Sequence, residues 1–186
     1  MKVLIITASP NKDGLTAACG NAAKASAEQA GAETVLICLN DYEISNCHAC
    51  GNGWGTCRTE HQCQVQDDFQ KLHALFGQAD AYVVVTPVYW GEMSERAKAF
   101  FDRLRRNEAG KGDQSCACGK YVISVAAAGG SGNGTISCLA SMERLFSHIR
   151  AQRFDMIGIT RLNRNAMIEA IKESTSSMVK LFIGNN

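Results

Sequence analysis

Four cysteines within one short stretch are the residues best suited to chemistry: Cys47, Cys50, Cys57 and Cys63. Cysteine thiolates are ligands of iron–sulfur clusters and of zinc, and four of them in one loop can converge on either. Six residues separate Cys50 from Cys57, and three of these six are glycines that would let the chain loop round. Plain thiols without a metal are the remaining alternative, so the residues by themselves leave three interpretations open.

Other potential ligands lie near this stretch and elsewhere in the chain. Either His48 or His61 could replace one thiolate, although a histidine in a loop is more often just solvated. A second pair of cysteines, Cys116 and Cys118, is too closely spaced to suggest a site on its own. The cysteines that we expect to be small core residues are Cys19, Cys38 and Cys138.

The turn after the first apolar run, residues 3–6, offers different chemistry. It carries hydroxyl groups at Ser9 and Thr16 and a single cation, Lys12, and an alanine-rich helix follows it. Free backbone N–H groups and the positive end of a helix dipole favour a phosphate at such a position. The turn lacks the Gly-Lys-Ser/Thr ending of ATPases and the three-glycine dinucleotide motif, so a terminal monophosphate such as that of FMN fits best. An ordinary strand-to-helix turn is the alternative for this loop taken alone.

Two further loops follow apolar runs that predict strands. Tyr89 and Trp90 are adjacent residues that come after the run at 81–85 has ended, and two aromatic rings there could stack on a planar ligand. After the run at 121–126, the glycine-rich stretch 127–134 would let the backbone approach a ligand closely. A flexible turn before a helix is the alternative for this second loop.

The elements that must position these loops alternate between strand and helix. The apolar runs that predict buried strands lie at residues 3–6, 34–39, 81–85, 121–126 and 154–159. Five strands separated by helices form an α/β fold, a parallel sheet with helices on both faces, in which ligands bind beyond the carboxyl ends of the strands. Residues 40–66, which include the four cysteines, show no periodicity, and irregular loops of that length are usually functional.

The helix after the third strand carries an apolar stripe, and we expect Ser94 to cap its start. Arg103, Arg105 and Arg106 lie near its end and predict a solvated basic face. The polar, glycine-containing residues 107–119 predict a loop.

Composition and charge narrow the class of protein. The chain has 186 residues, 46% of them hydrophobic, so we expect one globular domain over residues 1–186, with the cysteine-rich loop at about 40–66. A net charge of +1 gives no reason to expect binding to nucleic acid or to an acidic membrane. The first apolar run is too short for a signal peptide and no run is long enough to span a bilayer, so we expect a cytoplasmic protein.

Several of these motifs occur together in one known family. The loop at residues 7–16, the Thr86–Trp90 loop, the Lys98–Arg103 segment and the cysteine segment ending in Asp67-Asp68 resemble the NADPH-dependent FMN reductase family. More narrowly, they resemble its iron–sulfur flavoprotein branch. The resemblance covers residues 1 to about 146, with the motifs in the expected order. It implies a flavodoxin-like, doubly wound, three-layer α/β/α fold with a five-stranded parallel sheet of order 2-1-3-4-5.

The resemblance also implies which residues bind FMN. Ser9, Asn11 and Thr16 would hold its phosphate, although Leu15 stands where many relatives have asparagine. The residues implied to line the ribityl chain and the isoalloxazine ring are Pro87, Val88, Tyr89 and Trp90. Those implied to meet the polar edge of the ring are Gly130, Ser131 and Gly132.

The cysteine segment departs from the pattern of the family. Relatives that hold a [4Fe–4S] cluster place the third cysteine two residues after the second, whereas six residues intervene here. The implied cluster ligands are Cys47, Cys50, Cys57 and Cys63. Many relatives bind no metal and use this segment as a wall of the flavin pocket or as a dimer contact, so cluster, zinc and plain thiols all stay open.

The resemblance implies an FMN-dependent NAD(P)H oxidoreductase in which the flavin supplies the redox chemistry, so we name no catalytic acid or base. The electron acceptor would be a small molecule, such as a flavin, a quinone or an azo or nitro compound, or a redox protein. Two alternatives are a flavodoxin-like electron carrier without substrate turnover and a metal- or thiol-binding module that has lost the flavin. The near-neutral charge speaks against a docking carrier. We expect a homodimer or homotetramer in which a neighbour covers the flavin.

Overall fold

The structure, a computed structural model that describes residues 1–184, is organised around a six-stranded sheet. Its strands are Lys2–Thr7 (β1), Glu33–Cys38 (β2), Ala81–Tyr89 (β3), Glu92–Met93 (β4), Tyr121–Ala128 (β5) and Gln152–Thr160 (β6). β2, β1, β3, β5 and β6 lie side by side in that order and run parallel. This arrangement confirms the predicted five-stranded parallel sheet of order 2-1-3-4-5, because β4 lies off that path.

The two-residue strand β4 is an addition that the sequence analysis did not predict. It pairs antiparallel with the last two residues of β3. The chain reverses through Trp90 and Gly91, whose φ angles are +52° and +81°, and two consecutive positive φ angles are typical of a type I′ hairpin turn. The usual sequence signal for this turn is Asn-Gly or Asp-Gly, and Trp-Gly does not provide it.

Helices cover both faces of the sheet and form the predicted three-layer architecture. They are Leu15–Gln29 (α1), Cys50–Gly53 (α2), Thr56–Thr59 (α3), Phe69–Gln78 (α4), Glu95–Glu108 (α5), Thr135–His148 (α6) and Arg164–Gly184 (α7). α1 and α7 pack on one face of the sheet, and α4, α5 and α6 pack on the other. Leu4 and Ile5 of β1 therefore belong to two different core clusters, which explains why the strands are apolar without alternation. Within residues 1–184, none of the helices is both long enough and apolar enough to cross a membrane.

The start of α5 is tied to the end of β1. Ser94 caps the helix as predicted, because its hydroxyl accepts a hydrogen bond from the Ala97 backbone N–H. The same hydroxyl donates to the Ala8 carbonyl oxygen at 2.8 Å. α5 is therefore fixed to the loop that the sequence analysis assigned to phosphate binding.

Two expectations about the other end of α5 are wrong. Arg103 is not part of a solvated basic face, because only 1% of its surface is exposed and Asp67 neutralises it. The predicted loop at 107–119 begins too early, because α5 continues through Asn107 and Glu108, which are both fully buried. A 3₁₀ helix at Ala109–Gln114 follows directly.

The excursion at residues 40–66 has little regular structure, as predicted. α2 and α3 are turns of four residues each, and the backbone inside α2 departs from helical geometry. Ile44 is buried in the core, and its carbonyl oxygen accepts a hydrogen bond from Arg96 of α5 at 2.9 Å. The excursion is therefore anchored on α5.

The three cysteines expected in the core differ in burial. Cys19 and Cys138 are buried, which confirms the expectation for these two. Cys38 is only partly buried because it ends β2, which lies at the edge of the sheet. Its thiol donates to the Ser9 carbonyl oxygen at 3.3 Å.

Candidate functional site

A cavity of about 650 Å³ opens at the carboxyl edge of the sheet. The loop after β1, the end of β3 and the glycine-rich stretch after β5 all line it. The predicted flavin-site residues that line this cavity are Ser9, Asn11, Thr16, Pro87, Val88, Tyr89 and Gly130. The structure therefore brings together residues from all three loops that the sequence analysis singled out. We call this space the edge cavity.

Three of the predicted residues lie outside the edge cavity. Trp90 is fully exposed at the tip of the turn between β3 and β4 and lines a separate depression. The Ser131 hydroxyl accepts a hydrogen bond from the Asn133 N–H within its own turn. Gly132 lies against Thr160, the last residue of β6. A contact between these residues and a flavin stays a prediction.

Local hydrogen bonds shape the loop after β1. The Ser9 hydroxyl accepts from the Asn11 N–H at 3.2 Å, and the Asn11 side-chain oxygen accepts from the Asp13 N–H at 3.2 Å. α1 follows with Gly14 as its N-cap, and no side chain within the described residues caps it. The first N–H groups of α1 therefore have no side-chain acceptor and are available to an anion at the edge cavity.

Lys12, the cation of this loop, has a partner of its own. Its Nζ lies 2.8 Å from the Asp41 carboxylate, and both residues line a smaller cavity of about 230 Å³ beside Cys38. Lys12 does not line the edge cavity. Its charge is therefore already balanced within the protein.

The turn after β3 and the glycine-rich stretch after β5 touch through their backbones. A Cβ at Gly134, whose φ angle is +83°, would lie 2.7 Å from the Gly91 Cα, so only glycine permits this approach. The Ser137 hydroxyl donates to the Gly91 carbonyl oxygen at 2.8 Å and joins the same two segments. The contact holds two walls of the edge cavity in a fixed relation.

The four predicted metal ligands line one small cavity against the second half of α5, which we call the cysteine cavity. They are Cys47, Cys50, Cys57 and Cys63, and all four are free thiols. His48 lines this cavity too, whereas His61 lines a separate groove. Within residues 1–184, no three of the four sulfurs lie within 4.8 Å of one another. A tetrahedral zinc ion holds its sulfurs closer, at about 3.8 Å, because each Zn–S bond is about 2.3 Å long.

Arg103 closes the cysteine segment at both ends. Its guanidinium donates to the Ser45 carbonyl oxygen at 3.1 Å, ahead of the first cysteine, and to the Val65 carbonyl oxygen at 2.9 Å, after the last. It also lies 2.7 Å from Asp67 Oδ2. Burial alone would raise the pKa of Asp67, but hydrogen bonds from Arg103 and from two backbone N–H groups lower it to about 2.

Three buried polar atoms on α5 residues lining the cysteine cavity have no hydrogen-bond partner within the described residues: Arg103 Nε, Arg106 Nε and Asn107 Oδ1. Arg106 also donates to the Gly53 carbonyl oxygen, and its guanidinium lies 3.9 Å from the centre of the Trp54 ring. Buried donors without partners are costly, and guanidinium N–H groups form strong hydrogen bonds with anions. Two buried guanidinium N–H groups on residues that line this cavity are therefore left without an acceptor among the described residues.

The sequence contains a signal for the burial of Arg103 that the sequence analysis did not use. Arg103 lies three residues after Phe100 and directly before Leu104, and both belong to the buried stripe of α5. Helical periodicity therefore places Arg103 at the edge of that stripe, where a buried cation needs an opposite charge. Its partner, Asp67, lies 36 residues earlier, and no local pattern identifies it.

A second group of potential metal ligands lies outside both cavities. Ligand atoms of His73, Glu108 and Cys116 lie within 4.8 Å of one another. His73 Nε2 and Lys111 Nζ each lie 2.6 Å from Glu108 Oε1, and the Cys116 N–H donates to the other carboxylate oxygen. Burial would raise the pKa of Glu108, but these hydrogen bonds hold it well below its usual range. Because the carboxylate is satisfied by the protein itself, we assign this group to structure.

The comparison with protein families finds one match, which spans most of the chain. A family model for NADPH-dependent FMN reductases matches residues 1–156. The chain belongs to this family, which confirms the resemblance found in the sequence.

Individual proteins are similar to this chain in sequence or in fold. An iron–sulfur flavoprotein of Methanosarcina thermophila is 34% identical over 109 residues, which make up 57% of this chain and 55% of that protein. The chain spans about half the length of the curated relatives it matches. An NAD(P)H:quinone oxidoreductase from Methanothermobacter marburgensis superposes with a TM-score of 0.72, at 17% identity and over 96% of both chains. A flavodoxin of Streptococcus pneumoniae superposes with a TM-score of 0.60, at 15% identity, over 95% of this chain and 99% of its own. These two likenesses confirm the flavodoxin-like fold.

The buried pair between Arg103 and Asp67 predicts a large effect on stability. We expect Asp67→Asn to lower the free energy of unfolding by about 3–5 kcal/mol, because it leaves Arg103 buried without a counter-charge. The control is Asp102→Asn, which removes the exposed pair between Lys98 and Asp102 in the same helix and should cost less than about 0.5 kcal/mol. Urea unfolding measures both values.

The pH dependence of unfolding gives a second readout for Asp67. Its pKa in the folded protein, about 2, lies below the ordinary value of 3.8. The stabilisation from this carboxylate is therefore complete above about pH 4 and is lost as the pH falls towards about 2. The unmodified protein should lose stability over this range more steeply than Asp67→Asn. The assignment of Asp67 as the counter-charge of Arg103 would be contradicted by either of two results. One is an equal pH dependence of stability in the unmodified protein and in Asp67→Asn; the other is an equal loss of unfolding free energy in Asp67→Asn and Asp102→Asn.

Proposed function

We propose that this protein is an FMN-dependent oxidoreductase that takes reducing equivalents from NAD(P)H and passes them to a small molecule or to a redox protein. The observation that carries the proposal is the edge cavity, which three separate loops line in a chain of the FMN reductase family. When bound, FMN supplies hydride acceptance and one-electron release. The side chains of the protein bind and orient the flavin and limit the access of water, and we name no catalytic acid or base.

The loop after β1 is proposed to hold the phosphate of FMN. The hydroxyls of Ser9 and Thr16, the Asn11 side chain and the first N–H groups of α1 are the donors. The uncapped start of α1 supports this placement, because those N–H groups would otherwise face only water. The residues proposed to surround the ribityl chain and the ring are Pro87, Val88, Tyr89 and Trp90. Those proposed to meet the polar edge of the ring are Gly130, Ser131 and Gly132.

The proposed function is tested by the visible spectrum of protein purified without oxygen, recorded before and after NADH or NADPH is added. A flavin band that a donor bleaches, and that returns when a quinone is added, supports the oxidoreductase. A flavin band that neither donor bleaches would favour the electron carrier without turnover. Protein that binds no FMN at all would favour the metal- or thiol-binding module.

Removal of the two hydroxyls from the loop after β1 should weaken FMN binding. Ser9→Ala combined with Thr16→Val should cost about 1–3 kcal/mol of binding free energy, because the charged phosphate loses hydrogen-bond donors. Titration followed by flavin fluorescence measures the affinity for FMN and for riboflavin, which lacks the phosphate. The control is Thr34→Val, on the exposed edge of β2. An unchanged FMN affinity, or an equal loss for riboflavin, would contradict this placement.

We propose that the cysteine cavity holds a [4Fe–4S] cluster. Support comes from four cysteines on one cavity and from two buried arginine N–H groups without partners among the described residues. The curated relatives named iron–sulfur flavoproteins add to this support. The cavity holds only about 20 Å³, so a cluster would need the glycine-containing turn at residues 51–55 to open. Zinc is the alternative that this small volume favours.

Metal analysis of anaerobic protein decides between these alternatives. After incubation with iron and sulfide, we expect about four iron and four sulfide per chain. Cys57→Ala should lose both while FMN stays bound, which shows that the variant folds. The control is Cys118→Ala, a partly buried cysteine outside the cavity. Zinc as the bound metal, or protein that takes up no iron, would contradict the cluster.

Exposed apolar side chains around the edge cavity support the proposal of a homodimer or homotetramer. Trp90, Ile136 and Leu162 are each at least 82% exposed; Trp90 and Leu162 follow the ends of β3 and β6, and Ile136 lies in the first turn of α6. Large apolar side chains left exposed near one another are typical of a contact surface. A neighbouring subunit seated there would cover the flavin.

Light scattering should therefore give the mass of two or four chains rather than 20.1 kDa. Trp90→Ser combined with Leu162→Ser should weaken the assembly, because both substitutions remove apolar area from the contact. The control is Leu181→Ser, near the far end of α7. A monomer at micromolar concentration, or equal weakening by the control, would contradict this interface.

The state of the cysteines bears on the cellular compartment of the protein. All nine cysteines are free thiols. Thiols persist in reducing compartments, whereas secreted proteins usually pair them. We therefore propose the cytoplasm, as the sequence analysis did.

A further inference from the structure

Two arginines on the edge cavity were not singled out by the sequence analysis. Arg161 and Arg164 follow β6 and line the same cavity as Ser9 and Thr16. Both are exposed, and within residues 1–184 neither takes part in an ion pair or a side-chain hydrogen bond. We call these two residues the arginine rim.

The backbone that carries the arginine rim is held in place by hydrogen bonds. The Asn163 side-chain oxygen accepts from the Thr160 N–H at 2.7 Å and from the Thr160 hydroxyl at 3.1 Å. The Leu162 N–H donates to that same hydroxyl at 3.2 Å. α7 then begins at Arg164. The backbone of the turn is therefore fixed by hydrogen bonds, while its two guanidinium groups have no partner among the described residues.

The charge around the edge cavity is unbalanced. Among the described residues that line it, none is acidic, and the arginines of the rim are its two formal charges. Lys12 lies 2.8 Å from the Asp41 carboxylate and does not line this cavity. Arg164 also stands at the first position of α7, where the positive end of the helix dipole disfavours a cation. A ligand with two negative charges would relieve both effects.

Arg164 lies close to the helix that follows the phosphate loop. α7 packs beside α1, and the Ser26 hydroxyl of α1 donates to the Lys172 carbonyl oxygen of α7 at 2.5 Å. Burial raises the pKa of the Cys19 thiol in α1 to about 12, while the positive charge of Arg164 acts on it in the opposite direction. The guanidinium of Arg164 is therefore within electrostatic reach of the first turns of α1.

We propose that the arginine rim binds a phosphate monoester dianion at the mouth of the edge cavity. This inference rests on the proposed function, in which two molecules carry such a group. They are FMN, with its 5′-phosphate, and NADPH, with its 2′-phosphate. Arginine is suited to either, because its planar guanidinium forms two parallel hydrogen bonds to a phosphate. Bound to the first source, the rim adds affinity for the cofactor; bound to the second, it selects NADPH over NADH.

The experiment uses full-length protein with Arg161→Ala and Arg164→Ala combined. The control is Arg153→Ala, which removes one exposed charge at the opposite end of β6, where Arg153 pairs with Glu143. Equilibrium titrations with FMN and with riboflavin test the first source. Steady-state KM values for NADPH and NADH at saturating FMN test the second. Arg161→Lys combined with Arg164→Lys keeps the charge and should restore part of any loss.

The two sources predict different results. Binding of the flavin phosphate predicts FMN affinity weaker by roughly ten- to a hundredfold, with riboflavin affinity unchanged. Binding of the donor phosphate predicts a KM for NADPH raised by a similar factor, with the KM for NADH unchanged. If FMN affinity and both KM values match those of the Arg153→Ala control, the inference is overturned while the proposed function stands.

A flavin-free measurement separates the inference from the proposed function. Calorimetry with adenosine 2′,5′-bisphosphate tests the arginine rim directly, because this probe carries two phosphate monoesters, one of them at the 2′ position as in NADPH, and needs no flavin. Protein that binds no FMN but binds this probe through the rim would refute the proposed function alone. Protein that binds neither FMN nor the probe would refute both.

Discussion

The buried ion pair between Arg103 and Asp67 is the constraint on which the cysteine segment depends. Closing an irregular segment of more than twenty residues costs conformational entropy, and few of its side chains reach the core. Burying two charges is also unfavourable, and it is tolerated only where geometry and further hydrogen bonds compensate for it. Arg103 offsets both the entropy cost of closing the segment and the cost of burying the charges. Its guanidinium pairs with Asp67 and also donates hydrogen bonds to the carbonyl oxygens of Ser45 and Val65. The cysteines between these two residues are therefore gathered beside α5.

α5 sets the relation between the two cavities. At its start, Ser94 is bonded to the backbone just after β1, and nine residues later Arg103 holds the cysteine segment. At 1.5 Å per residue, these two attachments lie about 14 Å apart along the helix. One helix therefore links the loop after β1, which lines the edge cavity, to the segment that lines the cysteine cavity.

Sequence patterns predicted the fold because the strands are buried on both faces and the loops at their carboxyl ends carry unusual residues. These patterns did not predict features that depend on contacts between distant parts of the chain. The partner of Arg103 lies on a distant segment, so its burial has no local signature beyond its place beside Phe100. The turn between β3 and β4 requires positive φ angles at Trp90 and Gly91, and a tryptophan does not indicate such a turn in the sequence. Arg161 and Arg164 resemble any solvated arginines until the fold places them on the edge cavity.

The chain contains two tryptophans, and the fold assigns one to each site. Trp90 stands in solvent beside the edge cavity, while Trp54 lies under the guanidinium of Arg106 beside the cysteines. An indole surrounded by water and an indole packed against a cation have surroundings of different polarity, and their fluorescence emission differs accordingly. The intrinsic fluorescence of the protein therefore has two components, one from each tryptophan. Trp54→Phe would leave a label-free reporter at the turn beside the edge cavity, and Trp90→Phe one at the cysteine segment.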